Sequence, residues 1–479
     1  MGVISNTRIL IAFFFLLLAL VWLRTNKVIV SIFLVTIFTL PFFQPNKYYS
    51  VEVFRGNELV YDIFLNSKAG YFLGYGINIP NIFICLCLVV IGRELILDRR
   101  RLSVFTNKFI APVLLSALAF FMIGLYSSGQ HSPFIVLSFT WLVQYMQLYI
   151  VACVMFYIYV CYIKQFVLIY PVLSVSLLLQ VLIALWQFLR QSSTGLIIEY
   201  WNQISVFAPG LDEVNSLFRA TGTLVSPNQF ALVVLLFIII LAPYALRKSN
   251  AYYLIASVLG LVIIILSQSR SIWIASAICV TTFILVYKKE LKKIINNIGT
   301  KKVIVYGMLI LTSISFVIFP RVILSMNVFI EGAGIPVRIR MVKEGLETLA
   351  LSPWIGYGVG TNEYALYLQF PTGVMSYFAS AVHLAFLQLA LEVGFIGLLL
   401  FLYPFLYYLR KVINKNYGKK LKSENKDMIF SFLTGLSAFL IYYSFHPHAG
   451  TVEFPFLGIV LGFGMILSYG KKNKTYIEE

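Results

Sequence analysis

Arg270 stands in the stretch LSQSRSIWIAS, where two membrane-length apolar runs meet and only Ser267, Gln268, Ser269 and Ser271 give it polar company. A guanidinium costs about 2.5–3.5 kcal/mol at the centre of a membrane helix and less toward its ends, so one kept there needs a reason. Snorkelling to headgroup phosphates is one such reason. Company supplies another: Arg219 lies in FRATGTLVSPN, Arg338 and Arg340 in PVRIRM, and His383 in AVHLAFLQLALEVG. Arginine presents a planar fork that matches phosphate oxygens, each charge-assisted hydrogen bond being worth about 1.5–3 kcal/mol. Several arginines gathered on one side of a membrane suit a lipid-linked phosphate or pyrophosphate.

His383 opens an apolar run. At a helix N-terminus the dipole disfavours the imidazolium, so the neutral, proton-accepting form prevails near pH 7. That suits a general base, typically worth about 10²- to 10⁴-fold; a headgroup anchor is the plainer reading of an interfacial histidine. His446 and His448 in FHPHAG stand at another helix end, and without cysteine or carboxylate company they make a weak metal site. Glu392 is the clear carboxylate inside an apolar run, fit for packing against a polar neighbour or for handling a proton. The stretch WIGYGVGTN follows no strand and lacks the phosphate-loop lysine; it reads as a tight turn able to lend N–H groups to a site. The candidates are thus His383, Arg270 and Arg338 for catalysis and Arg219, Arg340, Glu392, His446 and His448 for substrate binding, with no metal ligands.

The elements that must position them are membrane helices. The chain is 60% hydrophobic and 12% charged, with a mean hydropathy of +0.88, whereas soluble domains carry about 25% charged residues. Apolar runs of about 17–27 residues recur, enough to cross the bilayer as helix, and they lack the alternation of a barrel strand. The expected fold is all-α, a polytopic bundle of about 12–13 transmembrane helices with a large external loop containing short helices. The runs extend from 9–23 to 452–469, and 134–162 is long enough to be two pieces. The first shows no small-residue cleavage site after it and reads as a retained helix. The cysteines at 85, 87, 153, 161 and 279 sit inside apolar runs as small hydrophobes.

Lysine and arginine set orientation, because they accumulate on the cytoplasmic side. The basic segments 93–108, 288–302, 410–422 and 471–474 fall on one side if the helices alternate, so most of the +18 net charge is an orientation signal and not a sign of nucleic acid binding. The other side receives 45–76, 190–228, the break at 268–271 and the long segment 320–382. Within the last, VRIRMVKEGLETLALSPW reads as a helix with Val337, Met341, Leu346 and Leu349 on one face, lying along the membrane surface. The chain thus divides into three regions: N-terminal transmembrane helices over 1–189, a core over 190–410 with external loops 190–228 and 320–382, and C-terminal transmembrane helices with a cytoplasmic tail over 411–479.

With these residues in place, the core resembles the O-antigen ligase and polymerase family of bacterial envelopes. SRSIW followed by Ile274 is similar to its Arg-x3-Leu element, with Ile for Leu, and His383 followed by Gly394 fits its His-x10-Gly element. RIRMVKEGLETLALSPWIGYGVG resembles the stretch in which an arginine, here Arg338, opens an amphipathic helix ending at a proline and a glycine-rich turn. The aromatic usual four residues later is Val342 in this chain. The resemblance implies a GT-C-like integral-membrane glycosyltransferase of the bacterial inner (cytoplasmic) membrane, its site facing the periplasm or cell exterior, using neither nucleotide sugar, metal nor other cofactor. Its donor would be a glycan on undecaprenyl pyrophosphate and its acceptor a glycan or lipid, with membrane lipids, a chain-length regulator and a flippase as partners and no nucleic acid. His383 would deprotonate the acceptor hydroxyl while Arg270 and Arg338, with Arg219, stabilise the departing pyrophosphate.

An extra leading helix and the absence of a recognisable acceptor-docking domain favour a polymerase of lipid-linked repeat units. A ligase moving finished glycan to lipid A core or another acceptor is the alternative. A lipid-linked glycan transporter is the rival of another class, although internal repeats and midplane charges, which mark transporters, are not evident.

Overall fold

The computed structural model describes residues 18–19, 21–42, 79–105, 109–133, 135–192, 194, 218–224, 226–298, 315, 319, 335–376, 381–416, 423–447 and 453–469. In chain order the main helices are α1 (Val28–Thr39), α2 (Ile79–Leu97), α3 (Ala111–His131), α4 (Ile135–Cys161), α5 (Ile169–Arg190), α6 (Pro227–Lys248), α7 (Ala251–Leu266), α8 (Arg270–Val286), α9 (Lys288–Ile298), α10 (Ile335–Leu351), α11 (Asn362–Gln369), α12 (Ala385–Asn416), α13 (Ser423–Tyr443) and α14 (Glu453–Tyr469). Among the described residues no strand occurs, and the expected all-α polytopic architecture holds. The run 134–162 is one continuous helix, α4. Most of the expected helices 303–319 and 9–23 lies outside the described residues.

Among the described residues five helices are long and apolar enough to cross a membrane alone: α3, α4, α5 with the turn before it, α6 and α12. Helices α8 and α9 are apolar and long enough only when taken together and are bent by 81° where they meet, and α1, α7 and α14 are apolar but shorter. Helix α6 lies at the centre. Pro227 and residues 229–246 are all buried, as a helix apolar on every face must be, and α5, α7, α8, α13 and α14 pack around it. Its start is fixed by Ser226, whose side chain accepts from the Gln229 N–H at 3.2 Å, and by Pro227 in the first turn.

Helix α12 is interrupted at Gly394, whose φ of 67° suits glycine alone. The segment after α10 enters the break. Phe395 N–H donates to the Pro353 carbonyl at 2.8 Å, while Tyr357 N–H donates to the Leu391 carbonyl at 2.8 Å and Gly358 N–H to that of Glu392 at 2.9 Å. A Cβ on Gly394 would lie 2.1 Å from the Trp354 carbonyl group. The broken helix thus holds the long loop by main-chain bonds, which satisfies groups that would otherwise be orphaned in an apolar setting.

The two ends of the bundle differ in chemistry. At one end Arg247, closing α6, pairs with Asp427 at 2.9 Å, Tyr287 donates to Asp427 at 2.8 Å and Lys426 pairs with Glu290 at 3.0 Å. The start of α6 lies about 33 Å away by helical rise, and there the candidate residues gather.

Candidate functional site

The break that holds Arg270 is stitched to the segment around Arg219. Arg219 Nε donates to the Ser267 carbonyl at 3.0 Å, Gln268 Nε2 to the Phe218 carbonyl at 3.2 Å and Ala220 N–H to the Leu266 carbonyl at 3.4 Å. Gln268 takes a left-handed φ of 53°, which turns the chain so that Arg270 becomes the first residue of α8 and is exposed. Two glutamines of α5 grip the segment just after Arg219. Gln187 Oε1 accepts the N–H groups of Thr221 and Gly222 at 3.1 and 2.9 Å, and Gln180 donates to Thr223 Oγ1 at 2.6 Å.

Buried Arg219 extends a second donor, Nη2, to Asn228 Oδ1 at 2.8 Å. Asn228 Nδ2 lies 3.4 Å from His446 Nδ1, and His446 Nε2 lies 2.7 Å from Ser271 Oγ. The His446 carbonyl accepts the Ala385 N–H at 3.2 Å, so the turn after α13 caps the start of α12 two residues beyond His383. Burial, then the charges of Arg338, Arg219 and Arg270 with His383 beside them, push His446 down to about 3.

His383 is half-buried, and its Nδ1 lies 3.0 Å from the Ala381 carbonyl. A carbonyl only accepts, so Nδ1 carries the hydrogen and Nε2 carries the lone pair. Burial and then the Arg338 guanidinium hold its pKa down at about 4, so the imidazole is neutral at pH 7. The dipole argument gives the same sign, with burial the larger cause. Arg338 is exposed on α10, and its pKa is pushed down by partial desolvation among its neighbours and then by Arg270. Arg219, Arg270, Arg338 and His383 therefore lie within electrostatic reach of His446, brought there by the segment before α6, the starts of α8, α10 and α12 and the turn after α13.

The remaining candidates have other placements. Arg340 pairs with Glu344 at 2.9 Å, and Glu344 also accepts the Val374 N–H at 2.9 Å, so this arginine braces the loop. Glu392 is buried and accepts from Asn362 Nδ2 at 2.9 Å, Tyr145 OH at 3.2 Å and Gln388 Nε2 at 3.3 Å. Asn362 Oδ1 in turn accepts the Val382 N–H at 3.3 Å, which makes Glu392 a support for the residue preceding His383. The glycine-rich turn gives its N–H groups to Leu391, Glu392 and Ser128, so its donors are spent in docking the loop. On α10 the buried face is Met341, Glu344, Gly345, Thr348 and Leu349, while Leu346, expected there, is exposed because at five residues from Met341 it points about 140° away around the helix. His448 lies outside the described residues.

Asn228, Gln180, Gln187 and Glu453 escaped the sequence reading, and Ser271 entered it only as polar company for Arg270. Glu453 is fully buried and accepts from Gln229 Nε2 at 3.2 Å and Tyr442 OH at 2.7 Å; the Tyr442 ring lies 4.9 Å from that of His446. A usable signal existed: isolated polar residues at the ends of apolar runs, and Gln180 and Gln187 seven apart on one helix face.

Residues 255–402 match the family model described as O-antigen ligase. This region of the chain is similar to the O-antigen ligase family. No curated protein matches the chain. The O-antigen ligase region runs from α7 into α12 and contains Arg270, Arg338, His383 and the Gly394 break, whereas Arg219, Asn228 and His446 reach the site from outside it. The match supports an O-antigen ligase or polymerase type of function in general, and the apolar helices fit a multi-pass membrane setting.

Proposed function

We propose that this protein polymerises undecaprenyl-pyrophosphate-linked repeat units by inverting, metal-independent glycosyl transfer at the outer leaflet of the bacterial inner membrane. The observation that carries the reading is the His383 tautomer: Nδ1–H engaged by the Ala381 carbonyl, Nε2 basic, and Arg338 alongside. In the reaction Nε2 takes the acceptor hydroxyl proton as that oxygen bonds to the anomeric carbon. The bond from this carbon to the phosphate oxygen breaks, and the pyrophosphate leaves with the electron pair. Arg270 and Arg338 meet the charge developing there, and Arg219 adds its field while holding Asn228 and Ser267.

Transfer to a lipid A core or another acceptor is the second reading, favoured by the family description. The deciding experiment supplies purified protein in detergent with lipid-linked repeat units alone, in chelator, alongside His383→Ala and Arg270→Ala. Longer lipid-linked chains lost in either variant support polymerisation. Transfer only after a lipid A core acceptor is added establishes a ligase, and no transfer with either acceptor by a folded sample favours a transporter.

A further inference from the structure

The chain of contacts from Arg219 to Ser271 has a direction. Arg219 Nη2 can only donate, so Asn228 presents Oδ1 to it at 2.8 Å and turns its amide nitrogen toward His446. An amide nitrogen also only donates, so His446 Nδ1 accepts and the ring hydrogen of the neutral imidazole sits on Nε2. That hydrogen points at Ser271 Oγ, 2.7 Å away. The depressed pKa of His446 supports a neutral ring. Among the described residues His446 is the partner of the Ser271 hydroxyl, and a hydroxyl that accepts on its lone pair keeps its own hydrogen for another acceptor. Ser271 is the second residue of α8, next to Arg270.

We infer that Ser271 is a substrate-binding residue whose hydroxyl hydrogen is aimed at a phosphate oxygen in the arginine site, with Asn228 and His446 as positioning residues that fix its direction. His446 transfers no proton in this arrangement. It is a rigid connector between a fixed donor and a serine, unlike His383. The inference rests on the proposed reading only in taking the ligand to be a pyrophosphate.

The test has two arms. In the first, nitrogen NMR of histidine-labelled protein in detergent, with His446 assigned through His446→Gln, reads the tautomer directly. A neutral Nε2–H ring at pH 7 is expected; Nδ1–H or imidazolium overturns the inference, whatever the activity. In the second, inorganic pyrophosphate is titrated into wild type, Ser271→Ala, His446→Ala, His446→Gln and Asn228→Asp. Loss of one hydrogen bond to a charged group predicts about ten- to hundredfold weaker binding for Ser271→Ala and His446→Ala. His446→Gln, whose Oε1 and Nε2 reproduce acceptor and donor, recovers most of it. Asn228→Asp reverses the chain: a carboxylate demands Nδ1–H, Nε2 becomes an acceptor, and the Ser271 hydrogen turns inward, so binding weakens as in Ser271→Ala although the side chain is nearly isosteric. Unchanged pyrophosphate affinity in both Ser271→Ala and Asn228→Asp overturns the inference. If both arms behave as expected while wild type transfers no glycan, the site binds pyrophosphate and it is the polymerase reading that falls.

Discussion

His383 and His446 stand at one end of the bundle, both close to Arg338, yet the protein uses them in opposite senses. His383 is half-buried and gives its Nδ1 hydrogen to the Ala381 carbonyl, which leaves a basic Nε2. His446 is buried between Asn228 and Ser271, with a basic Nδ1 consumed inside the protein. Each region has its own buried carboxylate behind it. Glu392 holds Asn362, which holds the Val382 N–H; Glu453 holds Gln229 and Tyr442, which flank Asn228 and His446. The difference teaches that the second atom each ring touches decides its chemistry, since the residue type and the surrounding charge are shared.

The largest effect expected from this contrast is at His383. Glutamine can mimic the hydrogen-bonding edges of a neutral imidazole but cannot accept a proton, so His383→Gln should lose about 10²- to 10⁴-fold in kcat, as His383→Ala does. His446→Gln should retain most of its transfer rate. Radiolabelled glycan transfer under saturating donor measures both. Equal losses in the two glutamine variants would erase the distinction between base and connector.

The supporting carboxylates extend the comparison with a smaller effect. Asn362→Leu removes a donor to Glu392 and the acceptor of the Val382 N–H, and Gln229→Leu removes a donor to Glu453. Stranding part of a buried carboxylate costs about 1–3 kcal/mol, so each variant should unfold earlier in a thermal scan. Their kinetics should part company: Asn362→Leu lowers kcat by misaligning His383, whereas Gln229→Leu raises the KM for the lipid-linked donor through Asn228. A pattern in which both lower kcat alone would make the two regions one unit.

How much of this could be read from the sequence depends on the range of the interaction. The helices were legible because 17–27 consecutive apolar residues must be helical in lipid; Arg270 and His383 stood out because a charge or an imidazole at the edge of such a run is costly, and Arg338 only through the stretch that resembles the family's. Gly394 was visible as a spacing from His383, but its reason, a docked Pro353 carbonyl, is a tertiary fact. Asn228 and His446 are 218 residues apart along the chain, and folding alone brings their side chains within 3.4 Å. Arg340 shows the converse: its residue type suggests a ligand to phosphate, but the Glu344 carboxylate one turn along claims it.

A third prediction concerns pH. Because the folded pKa of His383 is held near 4, below the ordinary 6.5, the basic form dominates above about pH 5 and kcat/KM should fall only as pH drops through about 4. Arg338→Gln removes a positive neighbour of the imidazole, so the pKa rises and the acid limb of the residual activity should move up toward 6.5. The linked stability has the same sign: the unfolded chain binds the proton more tightly, so stability present above pH 6.5 is lost as pH falls toward 4. A folding control at each pH separates the two. An acid limb fixed at one position in wild type and Arg338→Gln would remove Arg338 from the surroundings of His383.

The smallest effect is expected at Arg340, two residues along α10 from Arg338 and equally arginine. Its guanidinium is exposed and pairs at 2.9 Å, i,i+4, with the buried Glu344 carboxylate, so solvent screens the arginine's side of the contact. Such pairs contribute about 0.2–1 kcal/mol, and Glu344 keeps the Val374 N–H when the arginine is gone. Arg340→Ala should therefore lower the melting temperature slightly and leave the pyrophosphate affinity within about twofold, whereas Arg338→Ala weakens it by an order of magnitude or more, the worth of about one charged hydrogen bond. Equal losses in the two variants would mean that α10 turns to present both arginines to the ligand, and that the Arg340–Glu344 pair opens on binding.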